Sequence, residues 1–164
     1  MKFKVRDAGG DNTPTLIDRI KIAVSGTGAN ASSDIAWAGL YVGEEWVADA
    51  SSIANDFITF GSDSNGNAVA ALYSVADNTS TEFTVHIYMK PDKLSAVDGQ
   101  SYAFTTNEDN IGVDTSASSA MEANSNSITT VTGIIKVDVS HLEIVTAEGA
   151  STLDISAGVP VELI

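Results

Sequence analysis

Cysteine is absent from the sequence, and basic residues are scarce, with 8 Lys and Arg against 22 Asp and Glu. The lack of cysteine excludes disulfides, thiolate metal sites and cysteine nucleophiles. The formal net charge of −14 argues against a nucleic-acid partner, because the phosphates would be repelled. The same repulsion argues against binding to anionic membrane surfaces.

Long hydrophobic runs are also missing. No run of about 18 apolar residues is present, so we expect no membrane insertion. The start of the chain, MKFKVRDAGG, lacks the apolar segment of a signal peptide, so an exported protein would carry its signal outside this segment or would have been cut from a longer chain. Only 18% of the residues are charged, and Ser, Thr, Asn and Gly supply most of the remaining polarity. This composition is typical of a secreted β-protein, and we expect an extracellular or cell-surface location.

Hydrophobic residues make up 43% of the chain and recur with a period of two. In 81–89, for example, Phe83, Val85 and Ile87 alternate with polar residues, as in a half-buried strand. Turn residues separate such segments every ~8–12 residues, which is the pattern of a β-sandwich. The sequence therefore predicts an all-β, antiparallel β-sandwich of about 8–10 strands with one hydrophobic core.

The predicted strands share this alternation and are bounded by turn residues. They cover 3–6, 16–25, 35–42, 46–49, 57–61, 68–75, 81–89, 101–106 and 127–142. A helix of one or two turns is expected only around 50–56 or 91–97. Gly133 interrupts the alternation of the last strand and predicts a β-bulge. Residues 107–126 predict a surface loop with one short strand at Ile111 and Val113.

The pattern changes near the C-terminus. We predict a sandwich domain over 1–146 and a C-terminal strand segment over 147–164, which is either the start of a following module or an inter-subunit strand. Val159, Val161 and Leu163 lie two residues apart, as in a strand, and are candidate residues for pairing with a neighbouring subunit.

Candidate catalytic residues are few. The two histidines are His86, on the polar side of its predicted strand, and His141, which continues the apolar alternation of Val137 and Val139. No nucleophile-elbow, phosphate-loop, zinc-protease or dinucleotide motif is present. We therefore expect a protein that is not an enzyme.

Calcium is a candidate cofactor. It takes six to eight oxygen ligands from carboxylates, amides and carbonyls on flexible loops. Asp7 and Asp11 lie in one loop rich in Gly and Asn, and Asp98 lies in another, so these three are candidate calcium ligands. Tight turns favour the same residue types, and a purely structural loop is the alternative.

Aromatic residues gather around one predicted hairpin, where Trp37, Tyr41 and Trp46 lie close in sequence. Exposed aromatic rings on a β-sandwich would suit stacking against sugars, so surface glycans are candidate partners through Trp37 or Trp46. The favoured alternative is that Trp37 and Tyr41, on the same side of their strand, fill the core between the sheets.

The opening stretch FKVRDAGGDNTPTLIDRIKIAVSGTG, residues 3–28, resembles the start of a repeat found in very large secreted bacterial surface proteins. The later segments SDIAWAGLYVG, FITFGS, TEFTVHIYMK, AVDGQSYAFTTN and NSITTVTGIIKVDVSHLEIV are similar to later strands of that repeat, in the same order. The resemblance covers nearly residues 3–146. It implies an Ig-like sandwich within a string of cell-surface domains, with adhesion or a structural stalk as its role.

Three hypotheses of function result. The first is a non-enzymatic, extracellular structural or adhesion module whose partners are neighbouring domains or copies of itself. The second is a self-assembling filament subunit joined to its neighbour by β-strand addition, through a terminal strand at 159–164 or at 3–6. The third is a carbohydrate-binding module.

Overall fold

The computed structural model describes residues 1–61, 71–90 and 101–114, together with the backbone of three further strands at 131–136, 143–145 and 152–154. The strands are β1 (Lys2–Arg6), β2 (Thr15–Ser25), β3 (Ile35–Val42), β4 (Glu45–Asp49), β5 (Ser52–Ile53), β6 (Phe57–Phe60), β7 (Tyr73–Val75), β8 (Ser80–Met89), β9 (Ser101–Thr106), β10 (Ile111–Val113), β11 (Val131–Lys136), β12 (Glu143–Val145) and β13 (Thr152–Asp154).

Each strand predicted from the alternation overlaps an observed strand, and the short strand at Ile111–Val113 is confirmed. The helix predicted around 50–56 is wrong, because β5 lies there, and 91–97 is outside the described residues. A helical turn occurs instead at α1 (Ala31–Asp34). It begins after Asn30, whose side chain accepts a hydrogen bond from the Ser33 N–H and so caps the turn. A 3₁₀ turn at Glu108–Asn110 precedes β10.

The smaller of the two main sheets has the strand order β1-β8-β3-β4, with all neighbours antiparallel. Gly43, at the β3–β4 turn, has φ 62°, a conformation that glycine adopts without steric cost. β8 is a central strand of this sheet, and its alternation places Phe83 and Val85 on the inner face.

The larger sheet is built around β2, in the order β11-β9-β2-β6-β5. β2 is long enough to pair with two strands on each side, so that β7 and β6 follow one another along one edge and β10 and β9 along the other. All of these pairings are antiparallel.

The core lies between the two sheets. The four-stranded sheet, with the turn α1 before β3, contributes Phe3, Val5, Ala31, Ile35, Ala38, Leu40, Phe83 and Val85. The larger sheet contributes Ile17, Ile20, Ile22, Val24, Ile58, Phe60, Val75, Tyr102, Phe104 and Ile111. The ring of Tyr73 meets that of Phe83 edge-on across the two layers, at 5.2 Å between centroids. The all-β, antiparallel sandwich is therefore confirmed, while its Ig-like character stays a prediction.

A bulge in β2 explains how its apolar residues reach one core. Ile17 and Ile20 lie three residues apart and would point to opposite faces of a regular strand, yet both are fully buried. The register against β10 shifts between them, which leaves Asp18 without an opposite residue. The bulge predicted at Gly133 is wrong, since the register of β11 against β9 runs unbroken from Val131 to Lys136 and sets Gly133 directly opposite Phe104.

A third, two-stranded sheet is formed by β12 and β13, which pair antiparallel from Glu143↔Asp154 to Val145↔Thr152. Its two strands lie on either side of the domain boundary predicted at 146, and that boundary stays a prediction. Within the described part of the chain, no helix has the length and apolar character needed to cross a membrane.

Candidate functional site

The outer face of the four-stranded sheet carries a cluster of aromatic side chains around one carboxylate. We define the aromatic face as Trp37, Tyr41, Trp46, Asp49, His86 and Tyr88. The register places Trp37 opposite Tyr88, Gly39 between His86 and Asp49, and Tyr41 opposite Trp46. Because side chains opposite one another in a sheet share a face, three strands bring these groups onto one surface.

A bulge in β3 puts Trp37 on this face. β3 and β8 shift register between Ile35 and Trp37, which leaves Ala36 without an opposite residue. In a regular strand residues 35 and 37 would point the same way, but the extra residue lets Ile35 point into the core while Trp37 points outward. The favoured interpretation, that Trp37 and Tyr41 fill the core, is therefore wrong. Ala38 and Leu40 occupy the core instead.

A second bulge, in β4, brings Trp46 and Asp49 together. Residues three apart in a regular strand point to opposite faces. Here Trp46 lies opposite Tyr41 and Ala48 lies opposite Leu40, so Val47 is the extra residue. The bulge turns the indole of Trp46 and the carboxylate of Asp49 to the same side.

The Asp49 carboxylate joins the two indoles. Its Oδ1 accepts a hydrogen bond from Nε1 of Trp37 at 3.0 Å and another from Nε1 of Trp46 at 3.2 Å. Within the described part of the chain, no group donates to its other oxygen, Oδ2. Asp49 itself is exposed, so this second oxygen is available as an acceptor.

The remaining rings pack in pairs. Trp37 stacks against Tyr88 with 5.1 Å between ring centroids and 26° between planes. Tyr41 meets His86 edge-on, at 4.8 Å and 65°. Offset-stacked and edge-on contacts are the favourable geometries for aromatic pairs, so the rings hold one another in place.

Gly39 lies beneath the indole of Trp37. A methyl group at this position would overlap Cη2 and Cζ2 of Trp37 and would also press against Tyr41. Glycine is therefore what allows the indole to lie close to the backbone of β3.

The aromatic face is open to solvent. In the described part of the chain the exposed large hydrophobic side chains are Trp46 at 55%, Tyr88 at 65% and Phe57 at 37%. Phe57 lies on the other sheet, where Lys21 sits over its ring at 5.7 Å. Trp46 and Tyr88, the two most exposed of these large hydrophobic side chains, thus both lie on the aromatic face. Clustering of exposed apolar side chains is typical of interaction sites.

Basic side chains lie at the far edge of the same sheet. Lys2 and Lys4 on β1 are well exposed and approach the Glu82 carboxylate at 3.3 and 3.9 Å. Lysine on an edge strand discourages pairing with another sheet. The pairs with Glu82 reduce the positive charge of this edge.

The predicted calcium residue Asp7 is buried, with 4% of its surface exposed, and its oxygens accept hydrogen bonds from the chain itself. Oδ2 accepts from Oγ1 of Thr15 at 2.7 Å and Oδ1 accepts from the Gly9 N–H at 3.0 Å. These two bonds, the Thr15 hydroxyl first, hold the pKa of Asp7 below its ordinary value against the opposing effect of burial.

Asp11, in the same loop, and Asp77, in the turn between β7 and β8, also accept hydrogen bonds from the backbone. Oδ1 of Asp11 accepts from the Thr13 N–H at 2.8 Å. The two oxygens of Asp77, a residue that sequence reasoning missed, accept from the N–H groups of Gly10 at 2.8 Å and Asn12 at 3.1 Å. Asp7 and Asp11 thus accept from the N–H group two residues on, as in Asx turns, whereas Asp77 accepts from this loop across the fold.

No group of three His, Cys, Asp or Glu side chains among the described residues could hold a metal ion. Asp98, Val159, Val161, Leu163 and His141 lie outside the described residues. Calcium binding and the inter-subunit strand therefore stay predictions from the sequence.

A buried polar network lies at one end of the sandwich. Asp34, 1% exposed, accepts hydrogen bonds at Oδ2 from the hydroxyl of Tyr102 at 2.9 Å and from the Asn30 N–H at 2.9 Å. Oδ1 accepts from the hydroxyl of Ser33. Burial, followed by the hydrogen bond and charge of Asp34, raises the pKa of Tyr102 to about 12. This network ties α1 to β9 of the larger sheet and has a structural role.

In comparisons with known proteins, no family model, no curated protein and no solved structure matches this chain. The similarity to repeats of bacterial surface proteins therefore stays a resemblance.

Proposed function

We propose that this chain is a non-enzymatic, extracellular adhesion module that contacts its partner through the aromatic face. The observation that carries the proposal is the hydrogen-bonded arrangement of Trp37, Asp49 and Trp46 on an exposed sheet surface. Two β-bulges are needed to assemble it, and two aromatic pairs hold it in place.

Large aromatic side chains on a rigid surface favour binding, because they offer a large contact area at a small cost in conformational entropy. Interface energy is concentrated in such residues, Trp and Tyr above all. An adhesion role also agrees with the composition, which is typical of secreted β-proteins, and with the resemblance to surface-protein repeats.

The test is adhesion of beads coated with the protein to a panel of cell surfaces and extracellular-matrix preparations. We expect the wild type to adhere to at least one surface, and Trp46→Ala and Tyr88→Ala each to reduce adhesion at least about tenfold, since hot-spot aromatics contribute about 2 kcal/mol or more.

Phe57→Ala is the matched control, because Phe57 is an exposed aromatic residue on the opposite sheet. It should leave adhesion unchanged. Adhesion that survives the two aromatic-face substitutions, or that fails equally in the control, would contradict the proposal. The filament hypothesis places the donated strand at 159–164, which is outside the described residues, or at 3–6. Residues 3–6 lie in β1, which pairs with β8 of the same chain and buries Phe3 and Val5 in its own core, so this strand is already used within the chain.

A further inference from the structure

The chemistry of the aromatic face points to the class of ligand that it would take. We infer that it binds a neutral oligosaccharide, whose ring C–H faces pack on Trp46 and Tyr88 and whose hydroxyl groups donate to Oδ2 of Asp49. This inference rests on the proposed function and adds the identity of the ligand.

The first argument is hydrogen-bond complementarity. Oδ1 of Asp49 is occupied by both indole N–H groups, whereas Oδ2 receives no donor from the described residues. A carboxylate oxygen accepts only, so a matching ligand must bring donors to this point. Sugar hydroxyls are such donors, and their hydrogen bonds to a charged acceptor are stronger than those to a neutral one.

The second argument is charge complementarity. Asp49 lies between the two indoles, on the edge strand β4, and the chain carries a net charge of −14. A polyanionic ligand would meet repulsion both locally and from the whole molecule. Lys2 and Lys4 on β1 do not cancel this repulsion, because both approach the Glu82 carboxylate, which offsets part of their charge.

The third argument is the shape of the face. Trp37 and Tyr88 are in direct contact, as are Tyr41 and His86, so neither pair leaves a gap in which a quaternary ammonium group could sit between two rings. The ligand instead meets the outer surfaces of rings that lie side by side on a sheet. The apolar side of a sugar ring is suited to such a surface, because its C–H groups carry partial positive charge toward the negative face of the aromatic ring.

The dimensions favour a chain of sugars over a single ring. Trp37 and Tyr41 lie four residues apart on β3, a span of roughly 13 Å at ~3.3 Å per residue, and the face crosses three strands, which adds about 10 Å. Proline-rich peptides could also cover such a surface, but proline has no N–H to donate to Asp49.

The experiment uses the tryptophan fluorescence of the protein. The chain contains only two tryptophans, and both are on the aromatic face. The probes are short soluble oligomers of glucose, xylose, mannose and N-acetylglucosamine, compared with heparin, choline and a proline-rich peptide. We expect a saturable change in emission with at least one neutral oligosaccharide and none with the other probes.

Three variants assign the effect to the proposed contacts. Tyr88→Ala should weaken binding at least about tenfold, with both tryptophans still present to report it. Asp49→Asn keeps an oxygen that can accept the indole N–H groups but replaces Oδ2 by a donor, and it should also weaken binding about tenfold or more. Phe57→Ala should bind like the wild type.

Gly39→Ala tests the geometry without removing any aromatic group. The added methyl would displace the indole of Trp37, so we expect weaker binding and a changed emission of the free protein. Thermal unfolding of each variant shows whether it is folded at the assay temperature.

The outcomes separate the ligand class from the proposed function. A response only to heparin, choline or the peptide overturns the assignment to a neutral oligosaccharide and leaves the aromatic face as the proposed adhesion surface. No response to any neutral oligosaccharide, with bead adhesion still lost in Tyr88→Ala, overturns only the ligand class. If bead adhesion is also unaffected by that substitution, both proposals fail.

Discussion

Tyr102 lies in the larger sheet but directs its hydroxyl to Asp34 in the turn before β3, so one hydrogen bond connects the two layers of the sandwich. We predict that Tyr102→Phe lowers the free energy of unfolding by about 1–3 kcal/mol, because the buried Asp34 carboxylate loses a donor. Urea unfolding at pH 7 measures this, with Tyr88→Phe as control because the side chain of Tyr88 is largely exposed.

The same tyrosine makes stability depend on alkaline pH. Its pKa is raised from an ordinary value of 10.0 to about 12, so the fold favours the neutral form. This contribution is complete below pH 10 and is lost as pH rises through about 12. Wild type should therefore lose stability more steeply than Tyr102→Phe over this range, and parallel curves would contradict this.

Asp7 gives the corresponding effect in acid. Its lowered pKa means that its contribution to stability is present above the ordinary value of 3.8 and is lost as pH falls through the lowered value. We predict that Thr15→Val, which removes the largest cause of the shift, raises the pKa of Asp7 and lowers the free energy of unfolding at pH 7 by about 1.5–3 kcal/mol. An NMR titration of the carboxyl group and urea unfolding measure the two effects.

Thr13→Val serves as the control, because Thr13 is exposed and its backbone N–H, which the substitution keeps, is the group that bonds to Asp11. If Thr15→Val left the pKa of Asp7 unchanged, the hydroxyl of Thr15 would not be the main cause of the shift.

The loop between β1 and β2 shows why an element rich in Asp and Gly is ambiguous in the sequence. Gly10 and Asn12 have positive φ, and their N–H groups point to Asp77, a residue 65 or more positions away. The composition predicts a turn, a metal site or both, because carboxylates serve either purpose. Only the fold shows that the turn between β7 and β8 supplies the acceptor.

We predict that Asp77→Ala frees this loop while leaving the sheets intact. Hydrogen exchange of the Gly10 and Asn12 amides should become faster, while that of the amides in β2 and β8 should not change. Glu44→Ala, in the exposed β3–β4 turn, is the control. Unchanged exchange at Gly10 and Asn12 would show that the contacts with Asp77 do not hold the loop.

The strands themselves illustrate what alternation can and cannot predict. The pattern in 81–89 is regular, so both its buried Phe83 and its outward-facing Tyr88 follow from the sequence. In 35–42, strict alternation would place Trp37 on the same side as the buried Ile35. The bulge at Ala36 puts the two side chains on opposite sides, so alternation assigns Trp37 to the wrong face. Bulges depend on how neighbouring strands pair, and a single strand carries little information about them.

For the complete sandwich, the sequence predicts two layers of strands but not which side chains share a surface. An all-β sandwich follows from many short alternating segments and abundant turn residues, because each strand has one apolar side to bury. The aromatic face joins residues from β3, β4 and β8, which lie up to 51 positions apart between Trp37 and Tyr88. Strand order decides that juxtaposition, and strand order is set by packing that no local pattern records.

Binding at the aromatic face is measured by an NMR spectrum of the two indole Nε1–H groups, recorded as neutral oligosaccharides are added. Because Trp37 and Trp46 both donate to Asp49, we predict that both indole signals shift together as the oligosaccharide is added. In Asp49→Asn, which should bind more weakly, both shifts should be smaller at the same oligosaccharide concentration. Signals around Phe57, on the opposite sheet, should stay in place. Movement around Phe57 with unchanged indole signals would contradict the assignment of the aromatic face as the binding surface.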